Sequence, residues 1–393
     1  MMRVGIVFEY PTVNGGENSM FAVIEWLLAD ARSLDLELVA LCPSRGAVRE
    51  QLDGLGVELV AFDRHAVRRE AASNTGGSEI RERQVAALVA AVEAVRPDVL
   101  HANSLAMGRL LGAAAAQLPC PTTSHLRDIL KLSKAAVRDL NQNSRLIAVS
   151  EATREFHIAQ GLTVERSCVV HNGVAGPAMT ETPCVIRQRI REELGIPTDA
   201  DVLLTVGQIG LRKGLDTLAE AARKLAVSGR SLHWMIAGER FSQKQESVDF
   251  ERQVFAAFQS AGPTVTTHRL GYRRDVADLM LASDLLVHGA RQEPLGRVLL
   301  EAAALKLPII ATDVGGTREI LEDGVSGKLV PADDSAGMAT VIEHLLKAPK
   351  LRLGMADAAA ERVARDFSVE RSARQLVALW RAARDEKKSR PEA

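Results

Sequence analysis

Short runs of Val, Ile and Leu alternate, almost from one end of the chain to the other, with stretches whose apolar residues recur every three to four positions. Apolar runs of four to eight residues are the pattern of strands buried on both faces, and the helical stretches between them supply the crossovers that parallel strands require. The pattern predicts strands over 3–8, 36–41, 57–61, 99–102, 122–125, 146–149 and 168–171. It lapses over 172–183, where two glycines and two prolines fall close together, which predicts a connection between domains. A second set of strands follows at 202–206, 233–237, 264–269, 285–288 and 309–311, separated by helices such as 214–227 and 297–306. From 368 to about 387, Leu376, Val377, Leu379 and Trp380 form one apolar side of a terminal helix. Residues 64–78, with Arg64, Arg68 and Arg69 ahead of Asn-Thr-Gly-Gly-Ser, read as a mobile basic loop. The fold class is therefore α/β, with two doubly wound parallel sheets, one over 1–172 and one over 184–367.

Composition narrows the function classes. The 393 residues suit two domains, and 47% hydrophobic with 25% charged residues is ordinary for a globular chain with a sizeable core. Lys and Arg number 49 against 50 Asp and Glu, a net charge of -1 that provides no global field for nucleic acid or an anionic membrane. Cys42, Cys120, Cys168 and Cys184 lie far apart with no C-x-x-C spacing, which argues against a zinc site or a disulfide framework and for a cytoplasmic setting. The apolar run at 4–8 is too short for a signal segment, and no stretch of about 18 residues is apolar enough to span a membrane. No metal is expected: the histidines show no ligand spacing, and Asp199-Ala200-Asp201 precedes a strand instead of following one.

The chemistry concentrates after two strands of the second half. Gln292-Glu293-Pro294-Leu295-Gly296-Arg297 leads from a strand into a helix, with Glu301 about one turn inside it. Such a helix start offers free N–H groups and a positive dipole end to a phosphate, while the two carboxylates can accept hydroxyl protons from one ligand. Each Glu alone could equally be a solvated residue near a helix terminus. A second glycine-punctuated loop, Gly207-Gln208-Ile209-Gly210-Leu211-Arg212-Lys213-Gly214, follows strand 202–206 and carries two cations; it is neither a Walker loop nor G-x-G-x-x-G.

Glu293 to Glu301 with seven residues between them, Arg212-Lys213-Gly214, and Ala311-Thr312-Asp313-Val314-Gly315-Gly316-Thr317-Arg318-Glu319-Ile320 resemble the retaining glycosyltransferases of family 4. The first half adds Asn14-Gly15-Gly16-Glu17, Pro97-Asp98-Val99-Leu100-His101-Ala102, Ala148-Val149-Ser150-Glu151 and His171-Asn172-Gly173-Val174, so that the resemblance spans most of the chain. It implies a GT-B fold: two facing Rossmann-like domains, the first on the acceptor side and the second binding a nucleotide-sugar donor, with the 368–387 helix crossing back to the first. By position, Glu301 would hold the ribose hydroxyls, Glu293 and the backbone of Pro294, Leu295 and Gly296 the donor sugar, and Lys213 the diphosphate. Gly15 and Gly16 would let a loop approach the donor, and His125 would stand beside the reacting sugar. Two departures bear on donor binding. Gln208 occupies the place of the family's usual arginine, leaving Arg212 to supply that charge, and His288-Gly289-Ala290 stands where Pro-Ser is common.

The implied reaction is sugar transfer from a nucleotide diphosphate to a carbohydrate or lipid-linked hydroxyl by front-face attack. Cations and N–H donors would stabilise the departing diphosphate, and neither a metal nor another cofactor is called for. A nucleotide-sugar epimerase of related fold and a non-catalytic nucleotide-sugar-binding protein are the alternatives. The stretch 126–140 combines Leu126, Ile129, Leu130, Ala136, Val137 and Leu140 with Arg127, Lys131, Lys134 and Arg138. It reads either as a surface helix packed on its sheet or as a basic amphipathic helix making peripheral contact with the inner face of a membrane.

Overall fold

The computed structural model describes residues 1–30, 34–70, 76–176 and 181–389. The chain divides into two compact units, Met1–Gly173 with Ser368–Ala393, and Val174–Phe367. The first holds seven parallel strands: β1 (Met2–Val7), β2 (Leu36–Cys42), β3 (Glu58–Ala61), β4 (Val99–Ala102), β5 (Thr122–Leu126), β6 (Arg145–Ala148) and β7 (Ser167–Val169), in the order β3-β2-β1-β4-β5-β6-β7. Alternation along β1 explains its two-sided burial. Met2, Val4, Ile6 and, just beyond the strand, Phe8 join the core shared with Met20, Ile24 and Leu27 of helix Gly15–Ala29 and with Leu376 and Trp380 of helix Val369–Lys388. Val7 faces the opposite layer, with Leu88 and Val92 of helix Gly77–Val95 and Leu110 and Leu111 of helix Leu105–Ala114.

The terminal helix is a structural part of this unit. Ser368 caps it by accepting from the Arg371 amide, and the Ser372 hydroxyl donates to the His171 carbonyl at 2.6 Å. Trp380 is completely buried, and truncating a buried Trp to Ala typically costs about 3–5 kcal/mol.

The second unit holds β8 (Asp201–Val206), β9 (Leu232–Ala237), β10 (Val265–Gly271), β11 (Leu285–His288), β12 (Ile309–Thr312) and β13 (Lys328–Val330), all parallel, in the order β10-β9-β8-β11-β12-β13. One face packs Leu203, Trp234, Ile236 and Val287 against Leu218 and Ala222 of helix Leu215–Leu225 and Met338, Ile342 and Leu345 of helix Ser335–Lys347. The hydroxyl of Thr205 takes a hydrogen bond from the Trp234 indole at 3.0 Å and donates to the Val287 carbonyl at 2.9 Å, so the buried indole N–H is satisfied.

Three sequence expectations need correction. Residues 64–70 are a helix, not a loop: the Asp63 carboxylate accepts from the His65 and Ala66 amides at 2.8 and 3.0 Å and starts it. Helix Gly77–Val95 already includes residue 78, while 71–75 lie outside the described residues. The stretch 126–140 is not one helix, because Leu126 closes β5 opposite Ala148 and the helix begins only at Lys134, capped by Ser133. Strand β13 was not expected: three residues between Gly327 and Pro331 at a sheet edge are too few to show a period. Among the described residues no helix is long and apolar enough to cross a membrane.

Both sheets reverse their winding beside the first strand, between β1 and β4 in one and β8 and β11 in the other. At such a point the loops leaving the two strands diverge to opposite faces. The crevice at the carboxyl ends of the strands is where open parallel sheets bind ligands.

Candidate functional site

In the second unit the loops leaving β8 and β11 are tied together by Arg291. Its amide donates to the Arg212 carbonyl at 2.8 Å and its guanidinium donates to the Leu211 carbonyl at 2.7 Å, to both oxygens of Asp216 and to Asp333. The staple fixes the turn Leu211–Lys213 beside the β11 loop. From that turn Lys213 reaches Glu293, Nζ to Oε2 at 2.5 Å, and His288 at the end of β11 reaches the same oxygen through Nε2 at 2.9 Å. All three are largely buried: the side chains of Lys213, Glu293 and His288 are 12%, 9% and 3% exposed.

Burial alone would raise the Glu293 pKa, but the Lys213 charge and the His288 hydrogen bond outweigh it and hold the carboxyl well below the usual carboxylate range. His288 is lowered, by burial first and then by the Lys213 charge, against the pull of Glu293. A neutral His288 facing an ionised carboxylate must carry its proton on Nε2. Glu293 therefore stays anionic and acceptor-only. Among the described residues its contacts fall on Oε2, which leaves Oε1 to accept from a ligand hydroxyl.

The backbone of this loop is set from β12. The Gly316 amide donates to the Glu293 carbonyl at 3.0 Å, and Gly315, at φ +52, lies so close that a Cβ there would stand 1.9 Å from the same oxygen. The chain then turns through Pro294, Leu295 and Gly296 into helix Arg297–Ala304. Leu295 is buried, so this segment can offer a ligand only backbone groups. Glu301, on the helix's second turn, accepts from Arg297 Nε at 2.6 Å and is 29% exposed. Gln208 and Arg212 are both exposed on the β8 loop, and the Arg212 guanidinium makes no hydrogen bond or ion pair among the described residues. Asp201 of the D-x-D spelling opens β8, at the opposite end of the strand, and pairs with Arg230. No group of three or more His, Cys, Asp or Glu suited to a metal occurs among the described residues.

In the first unit, the carboxyl ends of β4 and β5 hold a second polar cluster. His125 Nδ1 lies 2.9 Å from His101 Nε2 and 3.2 Å from Arg127 Nη2, and His101 Nδ1 lies 2.8 Å from Thr123 Oγ1. Arg127 also donates to Asn103, through Nε to its carbonyl and Nη2 to its side chain, and to Asn172 at 2.7 Å. Gly16 belongs to this cluster: a Cβ there would meet Arg127 Cδ at 3.0 Å, and its carbonyl accepts from Asn103 at 3.4 Å. Gly15 heads its helix with nothing within 4 Å of a Cβ. Of the residues singled out from the sequence, Gln208, Arg212, Lys213, Glu293, Pro294, Leu295, Gly296 and Glu301 thus lie on the β8 and β11 loops and the helix that follows, whereas Gly15, Gly16 and His125 sit in the first unit.

Burial and the Arg127 charge lower the His101 pKa to about 3 and hold His125 well below its ordinary value. A histidine neutral in the folded chain and protonated in the unfolded one loses folding free energy as pH falls below about 6.5, and for His101 the loss continues down to about pH 3. Between pH 7 and pH 5 this amounts to about 2 kcal/mol for His101. Glu17, whose carboxyl is raised by burial, acts in the opposite sense and is common to wild type and variant. The urea midpoint of the wild type should fall more over that interval than that of His101→Gln; equal falls would refute the assignment.

The residues missed from sequence are those that hold others in place. Arg291 stands just outside the motif that begins at Gln292, and Arg127 read as the polar side of a helix. Their only sequence signal is position just past the end of a strand, Arg291 after β11 at the winding reversal of its sheet and Arg127 after β5, the neighbour of β4.

A family model described as glycosyl transferases group 1 matches residues 186–362, and one described as glycosyltransferase family 4 matches 13–175. The D-inositol 3-phosphate glycosyltransferase of Geodermatophilus obscurus is 30% identical over 315 residues, 74% of this chain and 67% of that protein. The alpha-D-kanosaminyltransferase of Streptomyces kanamyceticus is 32% identical over 198 residues, 50% of this chain; the chain spans about half the length of that relative, 49%. Among solved structures, Anabaena HepE in complex with UDP and glucose matches with a TM-score of 0.81 at 22% identity, covering 99% of this chain and 100% of that one. The likeness places the fold among GT-B proteins.

Proposed function

The chain belongs to the group 1 glycosyl transferases, with a family 4 amino-terminal half, and from that membership we propose that it moves a sugar, with retention, from a nucleotide-diphosphate donor to a carbohydrate or lipid-linked hydroxyl. The observation that carries the reading is the Lys213–Glu293–His288 cluster at the winding reversal of the second sheet, one turn from a helix N-terminus. A nucleoside diphosphate leaving the sugar gathers negative charge on its oxygens. Lys213, the exposed Arg212 and the amide end of helix Arg297–Ala304 supply fixed positive potential for that charge. Arg212 takes the part of the arginine that Gln208 replaces. Glu293, permanently ionised, keeps Lys213 in place through Oε2 and accepts a sugar hydroxyl at Oε1. Glu301 receives the ribose hydroxyls, and His125 of the first unit matches, by the family resemblance, the histidine that stands beside the reacting sugar. The acceptor hydroxyl attacks from the side of the departing phosphate, so no carboxylate nucleophile is required. HepE, bound to UDP and glucose, supports a donor of this class.

The test is a thermal-shift panel of UDP, GDP, ADP, CDP and dTDP and their sugar conjugates. Ligand at about 100 times its Kd adds about 2.7 kcal/mol to the folded state. One base should stand out, and its shift should disappear in Glu301→Ala. No shift with any nucleotide, with or without divalent cation, would move the non-catalytic reading to the front. Sugar interconversion without an acceptor would select the epimerase.

A further inference from the structure

The hydrogen bonds around His125 determine which of its nitrogens carries the proton. A guanidinium can only donate, so the Arg127 Nη2 contact at 3.2 Å makes His125 Nδ1 an acceptor. His101 Nε2, 2.9 Å from that same Nδ1, must then be an N–H that donates to it. With its proton on Nε2, His101 is an acceptor at Nδ1, and there the Thr123 hydroxyl donates at 2.8 Å. Each assignment forces the next, from Arg127 through His125 and His101 to Thr123.

We infer that His101 is a positioning residue that holds His125 as the Nε2–H tautomer, a neutral hydrogen-bond donor. The chain of contacts is buried: His101, Thr123 and His125 are 0%, 0% and 2% exposed. The Trp380 indole of the terminal helix packs edge-on to the His101 ring, centroids 5.5 Å apart, and the His101 and His125 rings meet edge-on at 4.9 Å. Among the described residues nothing accepts from His125 Nε2–H, which leaves that proton for a ligand oxygen. His125 in this state donates a hydrogen bond and cannot serve as a base through Nε2. Its low proton affinity, caused first by burial and then by Arg127, accords with the neutral ring.

The importance of His125 to transfer rests on the function proposed above; its tautomer does not, and the experiment separates the two. Nitrogen-15 NMR of the histidine-labelled full chain at pH 7 should show His125 protonated at Nε2 and bare at Nδ1, with or without measurable transfer. His101→Leu should return His125 to a mixture of tautomers. It should also lower kcat about ten- to a hundredfold, the size seen when a hydrogen-bond partner that orients a metal-bound histidine is lost, with the donor KM little changed. His101→Gln, whose amide can donate to His125 and accept from Thr123, should restore both the tautomer and most of kcat. A wild-type His125 protonated at Nδ1 overturns the inference without any variant, and so does an unchanged tautomer in a folded His101→Leu.

Discussion

Lys213→Ala should lower the turnover of glycosyl transfer by about 10²–10³, the usual cost of removing one fixed donor from a developing oxyanion. It should also destabilise the protein, for a reason distinct from catalysis. Glu293 is buried and its charge is balanced mainly by Lys213. Removing one partner of a buried pair leaves an uncompensated charge, at a cost of about 3–5 kcal/mol. The double variant Lys213→Met/Glu293→Gln removes both charges and keeps an acceptor for His288, so it should recover much of the stability and none of the turnover. Urea unfolding and initial rates on the same preparations check both statements. Wild-type turnover in Lys213→Ala would take the diphosphate role away from this residue.

The second large effect is expected at Gly315, which touches no ligand in the proposed mechanism. The left-handed backbone at φ +52 costs an L-residue about 1–2 kcal/mol, and the added Cβ would meet the Glu293 carbonyl oxygen at 1.9 Å. One of the two must move by more than 1 Å, and a misplacement of that size far from the reacting atoms can cost about 10² in rate. Gly315→Ala should therefore fold with a lowered midpoint and turn over about 100-fold more slowly. Gly324→Ala is the matched comparison: φ is +77 but nothing lies within 4 Å of its Cβ, so the backbone penalty is present and the collision is not. Similar turnover in the two variants would show that Gly315 does not set the Glu293 loop.

The sheets were legible because parallel strands buried on both faces leave uninterrupted apolar runs, and β8 and β9 are clear examples. The edge strand β13 left no such record. Segments with family spelling were legible as motifs but not as mechanics, since their partners lie far away in sequence. Gly315 and Gly316 exist for the carbonyl of Glu293, Asp98 accepts from the Arg3 amide, and Ser150 caps the helix that begins at Glu151. Arg127 was read by its company of leucines and lysines as one side of a helix; two loops and the end of β5 sharing its guanidinium are a tertiary fact with no local period. Residues 64–70 were read by their charges, whereas Asp63, just ahead of them, carried the helix start.

The return of helix Val369–Lys388 to the first sheet bears on how the chain is made. All seven strands of that sheet have been made by Val169, yet the helix that covers Met2, Ile6 and Phe8 is synthesised only after the whole second unit. Roughly 200 residues of the second unit intervene, and at about 5–20 residues per second a ribosome needs about 10–40 s to supply them. For that interval the nascent first sheet has an apolar flank without its cover, a surface for chaperones to occupy. The second unit is continuous in sequence and can complete its own core while the first still waits.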